Sequence, residues 1–384
     1  MSNSKAAKRQ YGGIKDRMWQ KRNKMSEGDI QKPIRQASIE LLRCVAMLMV
    51  ITLHYLDKGG ILTPLSQAQY GSGYGAWLLE AFCIVAVNTY VLISGYYLTE
   101  SGFKLRRLVT LTAQILFYSV LVPVVLVLCG ILPVKDMTLY QLLNYLLPVQ
   151  TKHYWFGTAY LLMYLFVPVL SAGVRQMSKK QLQFTIFLLV LVFSISKSVL
   201  PFQLGLDTEG YDMSWFLCLF MIAAYVRLYG VRMLNSSLKG WLCYVGSCTG
   251  VFLLSIVIAF FSNRFGKFAY FIDSPFGYNH ILCLLGALGI FHAFLHWDMP
   301  EGIPAWIARK IGPYTFGVYL LHENTELRFR WPQWFGMEKY GEGRWSPLHW
   351  LASILFIFAL GIIVDYLRSL LFKSVEAVFR RKKN

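Results

Sequence analysis

Ile39-Glu40-Leu41-Leu42-Arg43-Cys44-Val45-Ala46-Met47-Leu48-Met49-Val50-Ile51-Thr52-Leu53-His54-Tyr55 is apolar over nearly its whole length, yet it carries an arginine and a histidine. A run of this length approaches the roughly 20 residues that a bilayer-spanning helix needs. Inside a span an ionisable side chain is costly unless paired or wetted, so each one points to function. Arg43 and His54 are eleven residues apart, which on a helix is three turns to within about 20° and about 16 Å along the axis. They share one face. At one end Arg43 offers a guanidinium able to hold a phosphate; about 16 Å further on, His54 offers an imidazole able to act as a general base. The structural alternative has Arg43 snorkelling to headgroups and His54 capping the outer end.

Working outward, the whole chain has the same character. Of 384 residues 56% are hydrophobic and only 15% are charged, against about 45–50% and about 25% in soluble domains. This excludes a soluble, disordered or collagen-like protein and predicts an all-α, polytopic helical membrane protein. Apolar stretches fall near 39–56, 76–98, 108–132, 154–174, 183–203, 212–230, 241–262, 276–296, 311–326 and 347–367. We therefore expect about ten transmembrane helices in one membrane domain, residues 39–370. The net charge of +18 would in a soluble protein suggest a nucleic-acid partner. Its placement argues otherwise. With the N-terminus inside, about 27 basic residues fall on the cytoplasmic side and about 9 outside, a positive-inside bias that places both termini in the cytoplasm. Residues 1–38 read as a disordered basic cytoplasmic arm, either attracted to anionic lipid or acting only as a topology determinant. Residues 371–384 read as a basic cytoplasmic tail. No nucleic-acid partner is expected, and no cleaved signal peptide.

Seven cysteines lie almost all in apolar segments and form no C-x-x-C, so they read as small apolar filler. His292 and His296 have i, i+4 spacing but no third convergent ligand, and no metal is expected. Gly71-Ser72-Gly73-Tyr74-Gly75 follows no strand and is not a nucleotide loop. Lys197 in the fifth stretch snorkels or lines a wet cavity. No internal repeat is visible.

Arg-x10-His in a first span resembles the signature of the acyltransferase-3 family of integral membrane O-acyltransferases, which includes bacterial O-acetylases of surface polysaccharides. Further elements line up in the family's order. Asn88 through Leu98, with Ser94-Gly95-Tyr96-Tyr97, resembles its second-span Ser-Gly-aromatic motif, and Lys104, Arg106 and Arg107 resemble the basic cluster that follows. His153-Tyr154-Trp155-Phe156 through Pro168 resembles its Trp-Phe segment. Tyr314-Thr315-Phe316-Gly317-Val318-Tyr319-Leu320-Leu321-His322 resembles its late Tyr-Leu-x-His motif. The resemblance covers about residues 38–370.

What it implies is transfer of an acyl group, usually acetyl from acetyl-CoA, from the cytoplasmic side to a hydroxyl of a cell-surface glycan or its lipid-linked precursor, in a bacterial plasma membrane. His54 matches the essential histidine and Arg43 its paired arginine; Arg106 and Arg107, with Lys104, match the positions that meet the CoA phosphates. His322 joins the catalytic set, with Glu323 orienting a histidine if the acidic side chains turn inward, and an outer-loop residue if the helix ends at Leu321. Asn88, Ser94, Tyr96, Tyr154 and Trp155 are candidate acceptor-binding residues. For Ser94 close helix packing is the alternative, and for the aromatics an interfacial belt. Two other functions remain open on sequence: a carrier or flippase for a lipid-linked oligosaccharide, and a non-catalytic membrane interaction domain.

Overall fold

Continuous apolar runs in hydrocarbon must satisfy every backbone N–H and C=O internally, and without strict alternation they do so as helices. The computed structural model describes residues 35–65, 72–200, 202, 205, 207–267, 269–340 and 343–381. The predicted basic arm lies outside them through residue 34. The protein is all-α and polytopic: about 79% is helical, with no strand among the described residues. Eight helices there are long and apolar enough to cross a membrane.

In chain order the helices are α1 (Ala37–Lys58), α2 (Ser72–Cys83), α3 (Ala86–Ser101), α4 (Leu105–Leu128), the short α5 (Leu139–Leu146) and α6 (Trp155–Gln176). Then come α7 (Lys179–Val199), α8 (Met213–Tyr229), α9 (Ser237–Phe265) and α10 (Ile281–Leu295). The last three are α11 (Ile303–Ile311), α12 (Thr315–His322) and α13 (Ser346–Arg381). Two of the ten apolar stretches are not among the eight long spans. The 212–230 stretch is α8, of 17 residues. The 311–326 stretch is broken: Gly312–Tyr314, holding Pro313, forms a 3-10 turn, and the helix beyond it has only 8 residues.

Local sequence sets the ends. Thr138 with Gln141, and Ser178 with Gln181, form capping boxes that start α5 and α7, each satisfying amides the first helical turn leaves free. Asp212 accepts from the Trp215 amide at 3.1 Å and starts α8. Gly266, at φ 63°, ends α9 in the left-handed region.

Small residues bring the inner helices together. A Cβ on Gly95 would lie 2.9 Å from the Ala223 Cβ and 3.2 Å from the Phe220 Cα, so the Ser-Gly pair of α3 is where α8 packs against it. Gly240 of α9 and Gly289 of α10 meet in the same way. In α1 67% of the apolar window is buried, and in Gly73–Ser101 and Ser274–Leu295 72%, against 17% in α7 and 22% in α13. The first set therefore forms the interior and the second faces lipid.

The short α12 is seated between α1, α4 and α13. Gly361 of α13 admits Val318, whose Cα would lie 2.8 Å from an added Cβ, and Gly317 abuts Asp365. Asp365 is fully buried and is held by Arg368 (2.7 and 3.0 Å), Gln114 (2.9 Å) and the Tyr118 hydroxyl (3.1 Å). A buried carboxylate is tolerated when its charge and lone pairs are matched in this way. The network fixes α12, and with it His322.

Candidate active site

The break that shortens α12 decides what its last residues face. The helix stops at His322 with Glu323 at its cap position, yet both side chains are buried. They meet His54 near the end of α1. His54 Nδ1 lies 2.9 Å from His322 Nε2 and 3.2 Å from Glu323 Oε2. Glu323 is also paired with Lys58 and lies 3.7 Å from Arg328. Asn324 donates to the Tyr154 hydroxyl at 2.8 Å and to the Tyr118 carbonyl at 3.2 Å, which anchors the turn after α12.

One hydrogen bond assigns the protons. His322 Nδ1 lies 2.6 Å from the Val318 carbonyl, and a carbonyl only accepts. Nδ1 therefore carries the proton and Nε2 the lone pair. His54 must then donate through Nδ1, leaving its Nε2 as the basic nitrogen. The carboxylate of Glu323 stands beside the same Nδ1, placed to balance an imidazolium formed when Nε2 takes a proton.

His54 separates two cavities. Towards the Lys58 end of α1 is a polar cavity of about 410 Å³, walled by Asp57, Glu80, Trp155, Tyr278 and Glu323 among others. Towards Arg43 is an apolar one of about 30 Å³, walled by Met47, Val50, Tyr90, Phe316 and Tyr319 among others. Only Leu53, His54, Trp155 and Tyr278 line both. Trp155 stacks on Tyr278 with centroids 5.7 Å apart and planes 21° from parallel, and it meets Tyr211 at 4.5 Å.

Over residues 36–366 the sequence matches the family described as an acyltransferase domain. The chain belongs to the acyltransferase-3 family. No curated protein and no solved structure matches it.

The remaining candidate residues of this acyltransferase are spread more widely. Arg43 lies at the opposite end of α1 from the two histidines, 3.8 Å from Glu40, with its Nε buried and without a hydrogen-bond partner among the described residues. Arg106 makes a two-pronged pair with Glu376 of α13 at 2.7 and 2.8 Å, while Arg107 and Lys104 are exposed beside it. Tyr96 lies under Arg227, whose guanidinium is 4.7 Å from the ring centroid. Asn88 is fully buried; it accepts from Trp215 at 2.9 Å and donates to the Tyr278 carbonyl at 2.7 Å, and so fixes the platform under Trp155. Tyr154 is buried on Asn324 and, like Ser94, lines neither cavity.

His153 is buried near Thr325 (3.3 Å), and burial holds its imidazole down at about 4. Lys197 pairs with Asp207 at 2.6 Å beside the polar cavity. Burial pushes the Asp207 carboxyl up, but the hydrogen bonds from Lys197 and Asn279 outweigh it and hold the group below its ordinary value. Among the described residues no group of three or more His, Cys, Asp and Glu side chains is placed to hold a metal.

Lys58, Glu80, Tyr278, Asn324 and Arg328 are site residues that sequence reasoning did not single out. Only Glu80 gave a signal, a carboxylate inside the second apolar stretch.

Proposed function

We propose that this acyltransferase moves an acyl group, acetyl as the first choice, from acyl-CoA on the Arg43 side to a hydroxyl of a glycan or lipid-linked sugar in the outer cavity. The observation that carries this reading is the His54–His322 hydrogen bond, because it leaves His54 Nε2 basic between the two cavities. The acceptor oxygen gives its proton to His54 Nε2 as it attacks the thioester carbonyl. The C–S bond breaks and the CoA thiolate leaves, taking up the proton that His54 received, so that His54 is neutral again. His322 and Glu323 orient His54 and balance its transient charge, the base-plus-orienter logic of hydrolytic sites.

Arg43, with the exposed Lys104, Arg106 and Arg107, suits a polyanionic donor, since guanidinium–phosphate contacts are strong charge-assisted hydrogen bonds. On this reading the basic surface faces the cytoplasm and the protein sits in a bacterial plasma membrane. The test uses purified protein with labelled acetyl-CoA and an acceptor extract of the source envelope. His54→Ala should lower kcat by about 10²–10⁴, the usual contribution of a general base. Unchanged turnover in that variant would refute the assignment.

A further inference from the structure

Glu80 is the unexplained group of the outer cavity. It lies on α2 with Trp77 one turn before it, both lining the cavity. Its side chain is more than nine-tenths buried, and its Oε2 has no hydrogen-bond partner among the described residues. A buried carboxylate oxygen left unmatched is costly, and where it borders a cavity the missing partner belongs to whatever enters.

The charge around it has one sign. Asp57, Glu80, Glu209, Asp273 and Glu323 line the cavity, against Lys58 as the one lysine or arginine among its described lining residues. Lys58 is matched by Glu323, and Lys197 behind the wall, 3.9 Å from Glu209, is already held by Asp207. Aromatic rings line the same cavity, with Trp155 stacked on Tyr278. Carboxylates and stacked rings lining one cavity suit a sugar that carries an ammonium group: the rings take its C–H face and attract the cation, and the carboxylates bind the N–H donors. A phosphodiester or uronate would add negative charge to a field that already has an excess of it.

We propose that the outer cavity selects an acceptor bearing a protonated amine, a hexosamine unit with its amine free, and that Glu80 is the residue that recognises it. The assignment rests on reading this cavity as the acceptor site. It deepens that reading by naming the acceptor's chemical class.

The test is direct binding to the full-length protein in nanodiscs without acyl donor, so that no turnover is involved. Three probes are used: a glucosamine tetramer, its fully N-acetylated counterpart and a galacturonate tetramer. The glucosamine tetramer should bind at least about tenfold more tightly than the N-acetylated one, the scale of one charged hydrogen bond, and galacturonate most weakly. Glu80→Gln should erase that preference. Asp273→Asn, at an exposed position where folding is not at stake, should reduce it about two- to threefold, and added salt should weaken the rim contribution. Equal binding of the three probes, no binding of any, tighter binding of galacturonate, or a preference that survives Glu80→Gln each overturns the proposal. Acylation of neutral or anionic glycans by a protein that does not prefer the amine would keep the acyltransferase reading and sink this one. Glu80-dependent amine binding without any acyl transfer would do the reverse.

Discussion

On one side of His54 the protein holds a polar cavity of about 410 Å³, and on the other an apolar one of about 30 Å³. The first has room for a sugar. The second has room for about two waters, at about 10–15 Å³ for each, and cannot admit a thioester without movement. The two sides therefore differ in readiness: the polar side, proposed above for the acceptor, stands open, while the apolar side, proposed for the donor, is closed by the packing of Met47, Val50, Tyr90 and Phe316. On the proposed reading a closed apolar side has a chemical use, since a permanent water path through it would hydrolyse the activated acyl group.

Filling the small cavity should have the largest effect. Val50→Trp should lower kcat/KM for the acyl donor by about 100-fold or more, the scale of a misplaced reactant, while acceptor binding measured without donor stays unchanged. An equal loss on both sides would mean that the cavities are not separate. Next comes the partition's chemistry. His322→Phe removes the hydrogen bond to His54 and should lower kcat about 10- to 100-fold with the acceptor KM unchanged, and His322→Gln should recover part of it. Trp155→Ala opens the wall between the cavities. Acceptor KM should rise about 3- to 10-fold through lost stacking, and acyl-CoA hydrolysis without acceptor should increase, measured as free thiol released. The smallest effect belongs to the basic surface. Arg106→Ala combined with Arg107→Ala should raise donor KM severalfold and leave kcat and thermal stability nearly unchanged, because an exposed pair such as Arg106–Glu376 contributes at most about 1 kcal/mol.

Legibility in the sequence follows the same division. Arg43 and His54 stand out because a charged or titratable side chain in an apolar run is anomalous wherever it appears, and a single helix's geometry places them on one face. The helical, many-span architecture is readable for the same reason, from run length and composition alone. What surrounds His54 is not local. Lys58 and Glu323 are 265 positions apart, and the pair forms only because Gly317 and Gly361 let α12 settle against α13. The break at Gly312–Tyr314 shows in Pro313, but its consequence, a buried Glu323 just past the helix end, depends on Asn324 finding Tyr118 and Tyr154. In the stretch that resembles a family motif, Asn88 holds the Tyr278 carbonyl and Gly95, next to Ser94, packs against α8, partners that one sequence does not display. Glu80 was visible as a carboxylate in an apolar stretch; its importance rests on an unpartnered oxygen, which only coordinates reveal.

On the proposed reading His54 joins a donor on one face of the membrane to an acceptor on the other. The most direct measurement uses sealed proteoliposomes containing the full-length protein in one sorted orientation, with labelled acetyl-CoA supplied only on the side of the basic surface and acceptor glycan only on the opposite side. Labelled glycan is expected on the acceptor side, and its loss in His54→Ala vesicles. Transfer that occurs only when donor and acceptor share a compartment would contradict it.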